Sequence, residues 1–194
     1  MNKDPEQNPA TLSLSATRDI MEVNYFGVIQ TTVTLLPLVR KSTDGGVIVN
    51  VSSLVGSNSF LANPKKKFGA GSPANTNKLA AYSSSKAALN SYTISLSHEL
   101  REEGIKVNLV TPGLTSTNLS GGAGKTAKAG AEVLLPWALL DKDGPTCMLS
   151  LMNLTQFRMS DFRTRQVVLL MMMVLKFLGR TNIICDTEQW LYAF

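Results

Sequence analysis

The chain has 194 residues, 44% hydrophobic and 17% charged, and its 19 basic and 14 acidic side chains leave a net charge of +5. That apolar fraction supports one sizeable core and excludes a wholly disordered chain, and the absence of a Gly-X-Y period or sustained heptad excludes collagen-like and coiled-coil folds. The modest positive charge suits an anionic ligand and falls far short of a nucleic-acid-binding signature.

The opening Met1 to Ala10 stretch is polar and lacks the apolar run of a signal peptide. Thr17 is a candidate N-cap, with Asp19 and Glu22 in the first turns where carboxylates favour the positive end of a helix. Ile20, Val23, Val28, Leu35 and Leu38 then recur at helical spacing to about Arg40, with Pro37 bending or shortening the last turns. Asp44-Gly45-Gly46 signals a turn, and Val47-Ile48-Val49-Asn50-Val51 suits a strand buried on both faces of a parallel sheet. Gly56 to Asn77 is rich in Gly, Pro, Asn and Ser and reads as a long loop.

Leu79 to Glu103 is again helical, with Gly104 as its C-terminal cap. Lys106 to Val110 is a second strand, ended by Thr111-Pro112-Gly113. This helix, strand, helix, strand order is the alternation of an α/β fold with a parallel sheet. Ser120 to Lys128 reads as a flexible Gly/Lys segment and Ala131 to Leu140 as a helix. After Thr146 the composition changes, and six of the eight methionines lie from Met148 onward. The longest apolar run, Val167 to Leu175, is nine residues, too short for a membrane span of about 20. Cys147 and Cys185 form no CxxC or Cys/His cluster, so no metal site is expected and a reducing, cytoplasmic compartment is the default. His98 has no metal partner nearby and is read as structural.

Tyr82 and Lys86 stand four positions apart, on one face of the second long helix. An ammonium beside a phenol favours the phenolate and would bring Tyr82 toward neutrality, as a tyrosine general acid requires. The same pair equally suits an amphipathic helix with a buried ring and a solvated lysine. Ser52 and Ser53 follow the first strand, where open α/β sheets bind ligands. Pro112, Gly113, Thr115 and Thr117 follow the second strand, and Asn24 lies in the first helix.

Taken in order, Val23-Asn24-Tyr25-Phe26-Gly27, Ile48 to Ser53, Tyr82-Ser83-Ser84-Ser85-Lys86 and Val107 to Gly113 resemble the short-chain dehydrogenase/reductase family, over residues 14 to 146. The branch most similar is that of carbonyl reductases, through Leu35-Leu36-Pro37 and Asp143-Gly144-Pro145-Thr146. The resemblance implies reduction of a small ketone or aldehyde (or oxidation of the alcohol) with NADP or NAD. Tyr82 would then protonate the carbonyl oxygen, and Ser53 would hydrogen-bond it. Lys86 would lower the Tyr82 pKa and bond the cofactor ribose, while Asn24 would hold a water linking Lys86 to solvent. Tyr82, Lys86, Pro112, Gly113 and Thr117 would contact the cofactor, and Ser52 would serve the turn. Ser53 and Tyr82 are 29 positions apart, and the stretch between them carries Lys65, Lys66 and Lys67. Carbonyl reductases have an insertion there, which makes a monomer the expectation.

The sequence departs from the family pattern at both ends. It contains no glycine-rich GxxxGxG turn to cradle a pyrophosphate, and Cys147-Met148-Leu149 opens a tail unlike the family. The expectation is therefore an α/β fold holding a partial Rossmann-type, doubly wound parallel sheet, the C-terminal part of the fold only. Residues 1–146 would be a truncated NAD(P)-binding domain and residues 147–194 a tail of its own. The chain as written would hold its dinucleotide weakly or not at all and be inactive, with an exposed sheet edge. The alternative is a non-catalytic fragment or protein-interaction module.

Overall fold

The computed structural model describes residues 7–43, 45–63, 78–147, 149–151 and 169–172. Lys65, Lys66, Lys67, Cys185 and most of the tail expectation lie outside the described residues. Two helices, α1 (Leu14–Met21) and α2 (Gly27–Val39), are joined without a break by a π-helical turn over Glu22–Phe26. The N-cap is Ser13, whose hydroxyl accepts from Ala16 N at 3.3 Å. Thr17, the expected cap, lies inside the helix with its hydroxyl donating to the Ser13 carbonyl. Either residue type caps a helix, and Leu14 extends the pattern one turn earlier than Ile20 suggests. Pro37 is carried within α2 two residues before its end.

Strand β1 (Val47–Val51) is buried throughout, as its apolar run dictates. Helix α3 (Asn58–Ala62) occupies part of the stretch read as loop, capped by Ser57. Helix α4 (Ala80–Glu99) carries the reaction candidates and ends one turn before Glu103. Residues 100–104 form the turn instead, and Gly104 adopts the left-handed φ of 70° that glycine tolerates. Strand β2 (Lys106–Thr111) pairs in parallel with β1, Val47 opposite Lys106 and Val51 opposite Val110. The segment read as flexible is compact, with a bridge between Thr115 and Lys125, and the single helix expected after it is two short ones, α5 (Ala127–Glu132) and α6 (Leu135–Ala138).

Two strands come from beyond Thr146. Strand β3 (Leu149–Leu151) pairs with β2, and β4 (Leu169–Met172) pairs with β1, both in parallel. The sheet order is β3-β2-β1-β4, so the edges of β1 and β2 expected to stand open are paired. Alternation along β1 divides the core. Ile48 packs with Val39, Leu96, Leu100 and Val107, while Val47, Val49 and Val51 pack with Val110, Leu134 and Trp137. Helices therefore cover both faces. Cys147 is buried. Among the described residues no helix is long and apolar enough to cross a membrane, and no group of His, Cys, Asp and Glu could hold a metal.

Candidate active site

The candidate residues converge where β1 and β2 end. The Ser52 amide donates to the Val110 carbonyl at 2.9 Å, which extends the pairing one residue past β1. Ser53 keeps an extended backbone and then gives way to a tight turn over Leu54–Gly56. This turn lies directly against α4. A Cβ on Gly56 would sit 2.8 Å from the Lys86 carbonyl carbon and 2.9 Å from its Cβ, so only glycine permits the approach.

Helix α4 has no side-chain cap of its own, because its N-cap residue is Leu79. Gln7, 75 positions before Tyr82, supplies one. Its backbone accepts from Ala80 N and donates to the Lys78 carbonyl, and its Oε1 accepts from the Tyr82 amide at 2.9 Å. One of the orphaned amides of the first turn is thereby satisfied at the residue that bears the phenol.

Tyr82, Lys86 and Asn90 follow at four-residue intervals along one face of α4. The Tyr82 ring is partly exposed, while its hydroxyl hydrogen-bonds buried Ser53. Lys86 is 1% exposed, which rules out the solvated lysine of the bland alternative; its Nζ donates to the Val51 carbonyl at 2.9 Å. Asn90 accepts from the Ser52 hydroxyl and donates to the Gly56 carbonyl at 3.2 Å. Asn24 is buried in the π turn, and its Nδ2 donates to Ser85 Oγ at 3.0 Å. Ser85 in turn donates to the Tyr82 carbonyl at 2.7 Å. A π turn re-aims side chains within a helix and is common at functional sites.

The electrostatics differ from the expected lowering of the Tyr82 pKa. Burial pushes the phenol well above its ordinary value, and the Ser53 hydrogen bond pulls only partly back. Burial also brings Lys86 down to about 7, so near neutrality much of it is an uncharged amine that does little to favour a phenolate. Its Nζ is 5.8 Å from the Tyr82 ring centroid.

After β2, Pro112 and Gly113 are buried and Gly113 takes a φ of 86°. Thr115 donates to the Gly113 carbonyl, and Ser120 Oγ accepts from the Thr117 amide. The Thr111 hydroxyl is buried with no hydrogen-bond partner, while Thr117 and Ser120 form a reciprocal capping box. Such a hydroxyl is open to an amide or hydroxyl of a bound molecule. No sequence stretch offers the glycine-rich cradle a dinucleotide's pyrophosphate needs. A cavity of about 270 Å3 lies against α4, lined by Pro9, Val55, Leu61, Leu79, Ser83 and Ser84.

The structure thus groups Asn24, Ser53, Tyr82 and Lys86 around the first turns of α4. Gln7, Ser85 and Asn90 were missed. Asn90 had a usable signal in its four-residue step from Lys86, whereas nothing local marks Gln7 as a partner of Tyr82.

Comparison with known proteins identifies the family. The profile of the short chain dehydrogenase family matches residues 4–65 and 70–128. Human 17-beta-hydroxysteroid dehydrogenase type 2 is 35% identical over 144 residues, 73% of this chain and 33% of that protein. Salutaridine reductase of Papaver bracteatum is 33% identical over 156 residues, 66% of this chain and 49% of that protein. The chain therefore spans a third to about half the length of these relatives. Among solved structures, salutaridine reductase from Papaver somniferum superposes with a TM-score of 0.56 at 30% identity, covering 72% of this chain and 56% of that one. An NADPH-bound carbonyl reductase from chicken fatty liver superposes at 0.59 with 20% identity over 73% and 56% of the two chains, a likeness of fold.

Proposed function

Because the chain belongs to the short-chain dehydrogenase family, we propose that its site serves NAD(P)H-dependent reduction of a small ketone or aldehyde, in the manner of carbonyl reductases. The observation that carries this reading is the buried Ser53–Tyr82 hydrogen bond with Lys86 one turn along the same helix. The Tyr82 hydroxyl, high in pKa and therefore protonated at neutral pH, gives its proton to the carbonyl oxygen. Ser53 holds that oxygen and stabilises the charge that develops on it. Lys86, titrating at about 7, returns a proton toward Tyr82 as the phenolate forms. Asn24 holds this relay in line through Ser85. A bound nicotinamide cofactor would supply hydride to the carbonyl carbon, and Lys86, Pro112, Gly113 and Thr117 would hold it.

The 194 residues by themselves hold the dinucleotide weakly and turn over little or nothing, since the sequence has no glycine-rich cradle. The resemblance to carbonyl reductases supports a monomer and the sparse cysteines a cytoplasmic location, which sedimentation and fractionation test. Two experiments test the main reading. The purified chain is melted with saturating NADPH, then NADH; binding at about 100 times the dissociation constant adds about 2.7 kcal/mol, and the expected outcome is a shift well below that. A hybrid placing this chain behind the glycine-rich half of salutaridine reductase is then assayed for reduction of para-nitrobenzaldehyde. Turnover lost on Tyr82→Phe supports the proposal, and turnover indifferent to that change overturns it.

A second reading, a non-catalytic interaction module, draws on the exposure of Val23, Phe26, Val33 and Leu38 along the first helix pair. Exposed apolar side chains of this size are suited to a protein partner. Binding indifferent to Tyr82→Phe would favour it.

A further inference from the structure

We propose that Asn90 is a positioning residue, tying the turn that carries Ser53 to the helical face that carries Tyr82 and Lys86. The inference rests on the carbonyl-reduction reading for its purpose, but its contacts stand independently of it.

Three side chains at four-residue steps on α4 each bond to the end of β1 or the turn after it. Tyr82 meets Ser53, Lys86 meets the Val51 carbonyl, and Asn90 meets both Ser52 and Gly56. Asn90 uses both halves of its amide: Oδ1 accepts the Ser52 hydroxyl, and Nδ2 donates to the Gly56 carbonyl. Those two partners bracket Ser53. The turn between them approaches α4 so closely that Gly56 has no room for a Cβ beside Lys86. Ser53 donates or accepts at Tyr82 from a segment pinned on either side by one residue.

Asn90 does not touch the reacting atoms. Its effect is transmitted by backbone: with both bonds made, the Ser53 hydroxyl is delivered to Tyr82 and the Lys86 amine is kept dry. An alanine at this position leaves the Ser52 hydroxyl and the Gly56 carbonyl unpaired at a buried junction. The turn would then be free to lift and admit water to Lys86. Among the described residues, groups facing Lys86 include Tyr82 on its own helix and the Val51 carbonyl on β1, and its low pKa arises from burial.

The experiment uses the 194-residue chain and isotope-labelled lysine NMR, which needs neither cofactor nor turnover. The Lys86 resonance, assigned by its absence in Lys86→Met, is titrated in wild type, Asn90→Ala, Ser52→Ala and the exposed control Ser95→Ala. The expected result is a midpoint raised by about one unit in Asn90→Ala, a smaller rise in Ser52→Ala, and none in Ser95→Ala. Ser52→Ala keeps the question answerable if Asn90→Ala fails to fold. In the hybrid, Asn90→Ala should lower kcat about tenfold or more with KM nearly unchanged, as misplacement of a reacting group does. Midpoints equal to wild type in the folded variants overturn the inference and leave the function reading untouched. Reduction indifferent to Tyr82→Phe overturns the function reading instead.

Discussion

Lys86 lies one helical turn from Tyr82, with its Nζ 5.8 Å from the ring centroid, and directs a hydrogen bond at the Val51 carbonyl. It therefore joins α4 to β1 as a buried amine. Burial lowers its pKa from 10.5 to about 7. Between those values the unfolded chain binds more protons than the folded one, so stability rises with pH across that window, by at most about 1.4 kcal/mol per unit. Below about pH 7 the destabilisation is complete. The melting midpoint should rise from about pH 7 to about pH 9, and Lys86→Met should flatten that rise. Calorimetry at both pH values checks it.

Gln7 caps α4 at the Tyr82 amide. Gln7→Ala should cost about 1 kcal/mol, the usual loss for a helix cap. Gln7→Glu keeps the acceptor and adds a charge that favours the helix N-terminus, so it should recover that loss. Amide exchange at Tyr82 should quicken in the first variant and return to wild-type protection in the second.

Gly56→Ala places a Cβ within 2.9 Å of Lys86 Cβ and of Asn90 Nδ2. Neither the helix backbone nor the strand turn can yield without breaking the Asn90 bonds. A loss of about 1–3 kcal/mol is expected by chemical denaturation. The same substitution at Gly104, where nothing lies within 4 Å, should cost through its left-handed φ alone and leave the site intact.

Arg40 and Glu103 form a two-pronged ion pair at 2.7 Å, both side chains well exposed. Solvent and salt screen such a pair. Arg40→Ala should leave the melting midpoint unchanged at physiological salt, in contrast to the Gly56 and Gln7 variants.

Some of this protein is written locally in its sequence. The unbroken β-branched run at Val47–Val51 specifies a strand buried on both faces, since no alternation marks an exposed side. The four-residue step from Tyr82 to Lys86 places them on one face wherever the helix packs. The motifs around Asn24, Ser53, Tyr82 and Lys86, taken in order, resemble one family closely enough to name it. Helix ends were less legible. Ser13 and Thr17 are equivalent cap chemistries, and only packing of the first turn decides between them.

What the sequence could not determine is whatever depends on meeting across the fold. Whether Lys86 is solvated or dry depends on the packing of α4 against the end of β1 and the turn after it, segments distant in the chain. The sign of the Tyr82 shift follows from burial as well, which outweighs the Ser53 hydrogen bond. Gln7 and Asn90 carry no local mark of their roles, for a capping or bridging amide is defined by the backbone it reaches. The tail strands β3 and β4 were equally hidden, because parallel pairing joins residues distant in the chain, and a short apolar run is compatible with several partners. Local chemistry determined which groups this chain possesses; tertiary contact decided which of them are dry, paired and aimed at one another.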